Sequence, residues 1–360
     1  MVKFAVGIPS LNEADNIVNL TQEVDRAAQT LGIEICIINA DNSSEDGTAT
    51  LFKDTKTTNP KISILTKGKG KGRNVLSIFE HVTSADDIEY CFLIDADITS
   101  FDQKWLEAHY AKYKQGMDYV LPQYKRKYIE GNATNHFSYP MLHYLLDGAA
   151  PRQPIAGDIG LSKRLITYIL GLPRNESVHG YGIDMFISTS ALYFDIRISE
   201  VILEQKLHKP SFSKMVLIFQ EEASAFYFVR QQASDIQAQF VDPAEDAPFL
   251  DAIPVSEDDI NTRFHEARAL YTNSKSLIGD HSKFFKRQFI SEHEWADIIA
   301  QHEELIHRYA AEKLSESLTP YYLLRAVSYL KTVHDPLDAQ KVITEQADII
   351  RSTIKNRTKV

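Results

Sequence analysis

Two aspartates, Asp95 and Asp97, follow the apolar run Tyr90–Ile94 and are separated by a single alanine. The run is typical of a buried strand, so the two carboxylates are expected where that strand ends, at the carboxyl edge of a sheet. Carboxylate oxygens suit Mg²⁺ or Mn²⁺, which keep waters and bind through one or two carboxylates plus substrate phosphates. The pair therefore suggests a metal–diphosphate site, although a solvated turn rich in aspartate would show the same short pattern.

A second candidate for diphosphate contact is the loop Lys67–Arg73, in which glycine alternates with lysine before it ends in arginine. Glycine lets a backbone approach a phosphate closely and lysine supplies positive charge, with Lys71 the first candidate. The spacing is not that of a Walker A loop, and the first turn of the chain has no dinucleotide fingerprint. A flexible, solvated loop is the alternative interpretation.

Alternating strands and helices in the first third of the chain would position both motifs. Apolar runs predict strands at residues 4–8, 33–38, 62–65, 90–94 and 119–121, with helices between the first four. Such a pattern indicates a parallel sheet covered on both faces, whose ligands lie beyond the carboxyl ends of the strands. The polar residues expected at that edge are Pro9, Asn12, Glu13 and Asp41, together with the glycine–lysine loop and the two aspartates.

Composition limits the class of protein. The net charge of −10 makes a general nucleic-acid binder or a polybasic membrane-surface protein improbable, and no apolar run approaches the roughly 18 residues of a membrane-spanning helix. Cys36 and Cys91 lie in apolar strand-like runs and read as buried thiols of a reduced compartment. The first strand begins directly after Met1-Val2-Lys3, which leaves no room for a signal peptide. A soluble, cytoplasmic protein is expected.

Four motifs follow one another in a recognisable order: Ile8–Glu13, Asp41–Thr48, Gly70–Gly72 and Asp95–Asp97. In this order they resemble GT-A glycosyltransferases of the family 2 kind. Three later segments, residues 152–158, residues 179–184 and a predicted strand ending at His208, resemble glucosyl-3-phosphoglycerate synthases and their mannosylglycerate and glucosylglycerate synthase relatives. The resemblance covers about residues 3–230. It implies a Rossmann-like α/β fold, in which a mostly parallel sheet is flanked by helices.

The resemblance also implies roles on the donor side of the site. The residues that would frame the nucleobase and ribose or touch the diphosphate are Pro9, Asn12, Glu13, Asp41, Gly70 and Lys71. Asp97 and His208 would hold the metal, and Asp95 would be a further ligand that also reaches ribose or sugar hydroxyls. For Asp41 the alternative is a turn residue bonded to its own backbone, and for His208 it is a structural or exposed histidine.

On the acceptor side, Gly157 and Asp158 would lie beneath the donor sugar, and the turn at Tyr181 would present Asp184. Asp158 and Asp184 are the catalytic candidates, although the resemblance does not make Asp184 a clear base. Arg126, Thr134, Asn135 and Tyr181 are the candidates for binding a small carboxylate or phosphate, because arginine can bind either bidentately. A solvated basic strand end is the alternative for this region.

Together these features predict a metal-dependent retaining hexosyltransferase that uses a UDP- or GDP-hexose. Its small acceptor would be glycerate or 3-phosphoglycerate, as in compatible-solute synthesis. A family 2 transferase acting on a lipid phosphate or polysaccharide and a non-catalytic nucleotide-sugar-binding protein are the alternatives. The glycosyltransferase domain is expected over residues 1–240, with a nucleotide-sugar half to about residue 100 and an acceptor half beyond it. Residues 241–360 are expected to form a mainly helical extension that packs on the domain or supports a homodimer.

Overall fold

The computed structural model describes residues 3–208, 214–233, 235–274 and 276–358. Its strands are β1 (Phe4–Ser10), β2 (Ile35–Asp41), β3 (Lys61–Leu65), β4 (Tyr90–Leu93), β5 (Tyr119–Tyr124), β6 (Gly160–Ser162), β7 (Arg197–Leu203) and β8 (Gln239–Asp242). They form a single sheet in the order β3-β2-β1-β4-β6-β5-β7-β8. Only β6 runs antiparallel to its neighbours β4 and β5 among these pairings. The mixed sheet therefore directs most strand ends to one edge.

The five strands predicted in the first third of the chain are all present. Every residue of β1 and β2 is buried, as expected of strands covered on both faces. Two short strands, β6 and β8, were not predicted, because three or four residues are too few to show an alternating pattern. The strand predicted over residues 200–207 was placed too late, since β7 covers Arg197–Leu203.

Six helices and one short turn accompany the sheet. They are α1 (Ile17–Leu31), α2 (Thr48–Asp54), α3 (Lys71–Ser84), α4 (Gln103–Lys114), α6 (Lys163–Gly171) and α7 (Gly182–Ala191), with a 3-10 turn over Glu176–His179. Helix α3 packs directly on β1, where a side chain on Gly7 would come within 2.9 Å of Ile78. This close packing fixes the start of α3, and with it the glycine–lysine loop, against the central strands.

The chain divides into two compact units that are interleaved along the sequence. The first unit comprises Met1–Tyr124, Ala156–Ser211 and Ser234–Glu245, and the second comprises Lys125–Ile155, Phe212–Ala233 and Asp246–Val360. The sheet and the helices just described belong to the first unit. The sequence analysis placed a single boundary near residue 240, whereas the second unit also takes up two earlier segments.

The second unit is helical. Its elements are a π-helical turn (Thr134–Ser138), α5 (Tyr139–Leu145), α8 (Met215–Gln232), α9 (Glu257–Asn273), α10 (Ser282–Arg287), α11 (Glu292–Glu304), α12 (Ala311–Thr332) and α13 (Pro336–Thr358). The helical extension predicted at the C-terminus is thus present. Helix α12 accommodates Pro320 in its interior. None of the helices in the described parts of the chain is long and apolar enough to cross a membrane.

Candidate active site

The carboxyl edge of the first unit's sheet brings the predicted motifs together. Ser10 at the end of β1 pairs with Asp41 at the end of β2, which pairs with Leu65 at the end of β3. Beyond β4, the amide of Ile94 donates to the carbonyl of Gly7 at 2.8 Å, so the strand's direction is kept as far as Asp95. The register of three parallel strands therefore sets the first three motifs and the aspartate pair side by side.

Two lysines and three aspartates form an ionic cluster at this edge. Lys71 Nζ lies 2.9 Å from Asp95 Oδ1 and 2.9 Å from Asp184 Oδ2. Lys206 Nζ lies 3.3 Å from Asp95 Oδ2 and 2.5 Å from Asp158 Oδ2, and it donates to the carbonyl of Ala156 at 2.8 Å. Asp95 is thus held between two lysines, each of which has a second carboxylate partner.

The charges in this cluster perturb one another. Burial alone would raise the pKa of Asp95, but Lys71 and Lys206 outweigh it and hold that pKa well below its ordinary value. Burial would lower the pKa of Lys71, but Asp184 and Asp95 raise it well above its ordinary value. The pKa of Asp184 is raised by burial, which Lys71 offsets only in part. The cluster therefore holds Lys71 and Asp95 as an ion pair.

Asp158 is fully buried and supports the turn that carries Asp95. Its Oδ1 accepts from the backbone amide of Asp95 at 2.8 Å, and its Oδ2 accepts from the hydroxyl of Tyr124 at 2.8 Å as well as from Lys206. Because both oxygens are occupied by donors, the geometry is that of a positioning residue. A direct catalytic role for Asp158 stays a prediction without a contact to support it.

Asp97 differs from Asp95 in its surroundings. None of the described side chains forms a hydrogen bond or ion pair with its carboxylate, which is half-buried. Burial raises the pKa of Asp97, Asp95 and Asp158 add to that effect, and Lys206 and His208 oppose it. Asn16 holds the turn that carries Asp97 in place. Its Nδ2 donates to the carbonyl of Ala96 at 2.9 Å and to that of Ile98 at 2.6 Å. A rigid carboxylate with unused acceptor oxygens is suited to bind a cation.

His208 lies close enough to Asp97 to lower that residue's pKa. Its position follows from two hydrogen bonds, in which Thr99 N donates to Leu207 O at 3.0 Å and Leu207 N donates to Ser100 Oγ at 2.8 Å. No group of three or more His, Cys, Asp or Glu side chains in the described ranges is arranged to hold a metal. A metal site on Asp97 and His208 stays a prediction, and such a site would need its remaining ligands from water and a substrate diphosphate. Asp95, predicted as a further ligand, is paired with lysines instead.

The loops after β1 and β2 are bonded to each other. Asn12 N donates to Ser44 Oγ at 2.8 Å, and Asn12 Oδ1 accepts from Glu45 N at 3.0 Å. Glu13 N donates to Thr48 Oγ1 at 2.9 Å. Asp41 accepts from Ser44 N at 2.8 Å, which is the local turn geometry that was the alternative interpretation of this residue. Roles for Pro9, Asn12, Glu13 and Asp41 in binding a nucleoside stay predictions.

The glycines of the Lys67–Arg73 loop make room for protein backbone. A Cβ on Gly70 would lie 2.1 Å from the carbonyl oxygen of His179, and one on Gly72 would lie 1.9 Å from that of Val178. Gly72 N also donates to Gly180 O at 3.0 Å. The sequence analysis explained these glycines by the approach of a phosphate, whereas in the structure they admit the segment that leads into α7. That packing places Asp184, on α7, beside Lys71.

Gly157, unlike Gly70 and Gly72, lies directly beside the charged side chains of the cluster. It has φ +84°, and a Cβ at this position would lie 2.4 Å from Asp95 Oδ2 and 2.9 Å from Lys71 Nζ. Tyr181 immediately precedes α7 in the same unit. Arg126, Thr134 and Asn135, the other predicted acceptor residues, belong to the second unit. There Asn135 Nδ2 donates to Glu130 O at 3.0 Å, and its carbonyl accepts from Gln346 at 3.0 Å.

Lys206 is the site residue that the sequence analysis missed. The strand predicted to end at His208 would include Lys206, but β7 ends at Leu203, three residues before this lysine. The side chain is consequently only 9% exposed and reaches two carboxylates. The sequence did contain one indication of its role, because Lys206 comes two residues before His208, the predicted metal ligand.

One family model and several solved structures are similar to parts of this chain. Residues 5–162 match the model of the family Glycosyl transferase family 2. The structure resembles mannosyl-3-phosphoglycerate synthase from Rubrobacter xylanophilus, with a TM-score of 0.53 and 18% identity, over 64% of this chain and 75% of that one. It also aligns with glucosyl-3-phosphoglycerate synthase from Mycobacterium tuberculosis in complex with Mn²⁺ and UDP-glucose. That alignment has a TM-score of 0.49 and 20% identity and covers 65% of this chain and 80% of that one. No curated protein matches the sequence significantly.

Proposed function

We propose that the chain is a hexosyltransferase, because residues 5–162 match the model of Glycosyl transferase family 2 and the fold is GT-A-like. The donor is a UDP- or GDP-hexose bound with Mg²⁺ or Mn²⁺, and the acceptor is a small molecule such as glycerate or 3-phosphoglycerate. Transfer retains the configuration of the anomeric carbon. The observation that carries this proposal is the cluster around Asp95, together with the carboxylate of Asp97, to which none of the described side chains is bonded.

The cluster supports binding of a diphosphate and a cation together. Four carboxylates, those of Asp95, Asp97, Asp158 and Asp184, surround two lysines, so the site holds an excess of negative charge that a divalent cation would balance. When bound, the cation would neutralise charge on the departing nucleoside diphosphate. Lys71 and Lys206 are fixed by their carboxylate partners, so they can be oriented toward that charge without reorganisation.

The proposed reaction needs few groups from the protein. The bond between the anomeric carbon and the diphosphate oxygen breaks, the acceptor hydroxyl oxygen forms the new bond on the same face, and its proton passes to the diphosphate oxygen. Protein side chains then act mainly by positioning the reactants and stabilising the leaving group. The named likeness to mannosyl-3-phosphoglycerate synthase supports a glycerate-type acceptor.

The test is a transfer assay on the purified chain with UDP-glucose and GDP-mannose, each offered with glycerate and with 3-phosphoglycerate. Every pair is run with Mn²⁺ and with a chelator. Product formed with one pair only in the presence of metal, with a retained anomeric configuration by proton NMR, is the expected result. Hydrolysis or transfer that is unaffected by chelation would refute the metal, and the absence of both with every pair would refute the donor and acceptor classes.

Asp97→Asn tests the metal-binding carboxylate separately from the fold. We expect the rate to fall by about 10²–10⁴, the usual range for an electrostatic group at a reacting centre. The folded protein should be retained and slightly stabilised, because burial and Asp95 disfavour the charged form of this side chain. Asp86→Asn, on an exposed turn before β4, is the matched control and should leave the rate unchanged. Turnover of Asp97→Asn near that of the wild type would refute the role of Asp97.

A further inference from the structure

A cavity of about 620 Å³ in the first unit lies apart from the Asp95 cluster. Its walls are the carboxyl end of β3, one face of α3 and the segment after α6. We call it the basic groove and define it by Thr66, Lys67, Arg73, His81, Arg174 and His179. Neither Lys71 nor any aspartate of the cluster lines it. Its volume falls in the range of cavities that bind small molecules.

The charge of the basic groove is opposite to that of the whole protein. Lys67, Arg73 and Arg174 contribute three permanent positive charges, whereas Glu80 is the carboxylate that lines the groove. The complete chain carries a net charge of −10. Basic side chains gathered in one concave place on an acidic protein create a local field that attracts anions.

Two hydrogen-bond donors of the basic groove lack an acceptor among the described residues. Thr66 is only 6% exposed, and its buried hydroxyl forms no hydrogen bond within the part of the chain that the structure describes. Its backbone is held in place, since Thr66 N donates to Asp41 O at 2.8 Å. Arg174 Nη1 is likewise buried, and none of the described residues accepts a hydrogen bond from it. Buried donors are usually paired in folded proteins, so these two donors are available to an acceptor that a ligand would supply.

Arg73, the third cation of the basic groove, can exchange its present partner for a ligand. Arg73 Nη2 lies 3.0 Å from Glu176, whose side chain is 82% exposed, and His179 lies 3.4 Å from the same carboxylate. Exposed ion pairs of this kind contribute little, so an anion in the groove can compete with Glu176 for Arg73.

We propose that the basic groove binds the phosphate group of a small molecule at a site separate from the donor site. A phosphate offers several acceptor oxygens to donors that converge from different directions, and arginine binds it through a fixed fork of N–H groups. Thr66, Lys67 and Arg174 are the principal donors, and Arg73 joins them when it leaves Glu176.

The experiment is isothermal titration with inorganic phosphate at constant ionic strength on the full chain. Arg174→Gln should weaken binding about tenfold, the effect expected from loss of one charge-assisted hydrogen bond. Thr66→Val, which keeps the shape of the side chain, should also weaken it. The matched controls are Arg26→Gln and Thr30→Val on the exposed face of α1, and both should bind phosphate as the wild type does.

Lys71→Met separates the basic groove from the active site. Its phosphate affinity should equal that of the wild type, since Lys71 does not line the groove. The proposal is overturned if wild-type protein binds no phosphate, if Lys71→Met abolishes binding, or if Arg174→Gln and Thr66→Val bind as tightly as their controls. A second titration, with glycerol 3-phosphate, shows which kind of phosphate compound the basic groove binds. Binding about tenfold tighter than that of inorganic phosphate indicates a phosphate ester, and equal binding indicates recognition of the phosphate alone.

Discussion

Lys206 connects the parts of the candidate site that are distant in sequence. Its ammonium group lies between Asp95, which follows β4, and Asp158, which precedes β6. Its side chain is 9% exposed, and the carboxylate of Asp158 is fully buried. A buried carboxylate that loses its cation is strongly unfavourable, because the remaining charge is neither solvated nor compensated. Lys206 therefore acts on the geometry of Asp95 as well as on the local charge.

Lys206→Met should lower the free energy of unfolding by about 3 kcal/mol, the cost of leaving a buried ion without its partner. The urea midpoint at pH 7 measures this change. Lys69→Met removes an exposed lysine from the glycine–lysine loop and should leave the midpoint unchanged. In the double variant Lys206→Met/Asp158→Asn part of the stability should return, since the buried charge is also removed. A single variant as stable as Lys69→Met would show that Lys206 does not hold Asp158.

At this scale the sequence was informative where a residue's position follows from a strand. Asp95 and Asp97 come directly after an apolar run, and parallel pairing of that run with β1 determines where they lie. Lys206 could not be placed in the same way, because its contacts depend on a turn after Leu203 that has no alternation to reveal it. The unused acceptor oxygens of Asp97 were equally invisible, since they depend on which donors the fold brings near.

At the scale of elements, glycines determine how closely segments approach the cluster. Gly70 and Gly72 admit the backbone of residues 178–180, and Gly157 allows its own segment to pass beside Asp95. The sequence analysis identified all three glycines as sites of close approach, but for Gly70 it predicted a ligand where the structure has a carbonyl group. A glycine shows that something must be near, and only the packing of α7 against α3 shows what it is.

Gly157→Ala should disturb the site by straining the backbone at residue 157 and by crowding Asp95, since the substitution removes no functional side chain. The residue has φ +84°, and the new methyl group would lie 2.4 Å from Asp95 Oδ2. Strain of about 1–3 kcal/mol is expected from the backbone conformation, and displacement of the Asp95–Lys71 pair should lower turnover about 100-fold. Steady-state kinetics and urea unfolding measure the two effects.

Gly171→Ala is the control for that substitution. This glycine ends α6, has no neighbouring atom within 4 Å of a new Cβ and does not have a positive φ. Alanine is the better helix former, so Gly171→Ala should match or exceed the wild type in stability and keep full turnover. Equal activity in Gly157→Ala and Gly171→Ala would contradict the inferred close approach at Gly157.

At the scale of the whole molecule, each of the two units contains a histidine that is fully buried and stays neutral. His109, on α4 in the first unit, donates from Nδ1 to the carbonyl of Trp105 at 2.9 Å and stacks on Phe92. His302, on α11 in the second unit, contacts the carbonyl of Ile298 and the hydroxyl of Ser317. Burial lowers the pKa of each imidazole to about 4.

These two histidines make both units sensitive to acid. An unfolded imidazole takes up a proton near pH 6.5, whereas the folded one stays neutral down to pH about 4, so the free energy of unfolding falls as the pH drops through that window. Between pH 7 and pH 5 each histidine should cost about 2 kcal/mol. His109→Phe and His302→Gln should each remove about that amount of the pH dependence in urea unfolding.

A further variant distinguishes the protonation of His109 from the packing of its ring. Phe92→Leu weakens the contact with the His109 ring but keeps the imidazole, so it should lower the free energy of unfolding by a similar amount at pH 7 and pH 5. His109→Phe should instead narrow the difference between the two pH values. If both histidine variants retained the wild-type pH dependence, other groups would have to bind the protons taken up on unfolding. The buried His136 of the second unit, whose pKa burial lowers well below its ordinary value, would then be the next candidate.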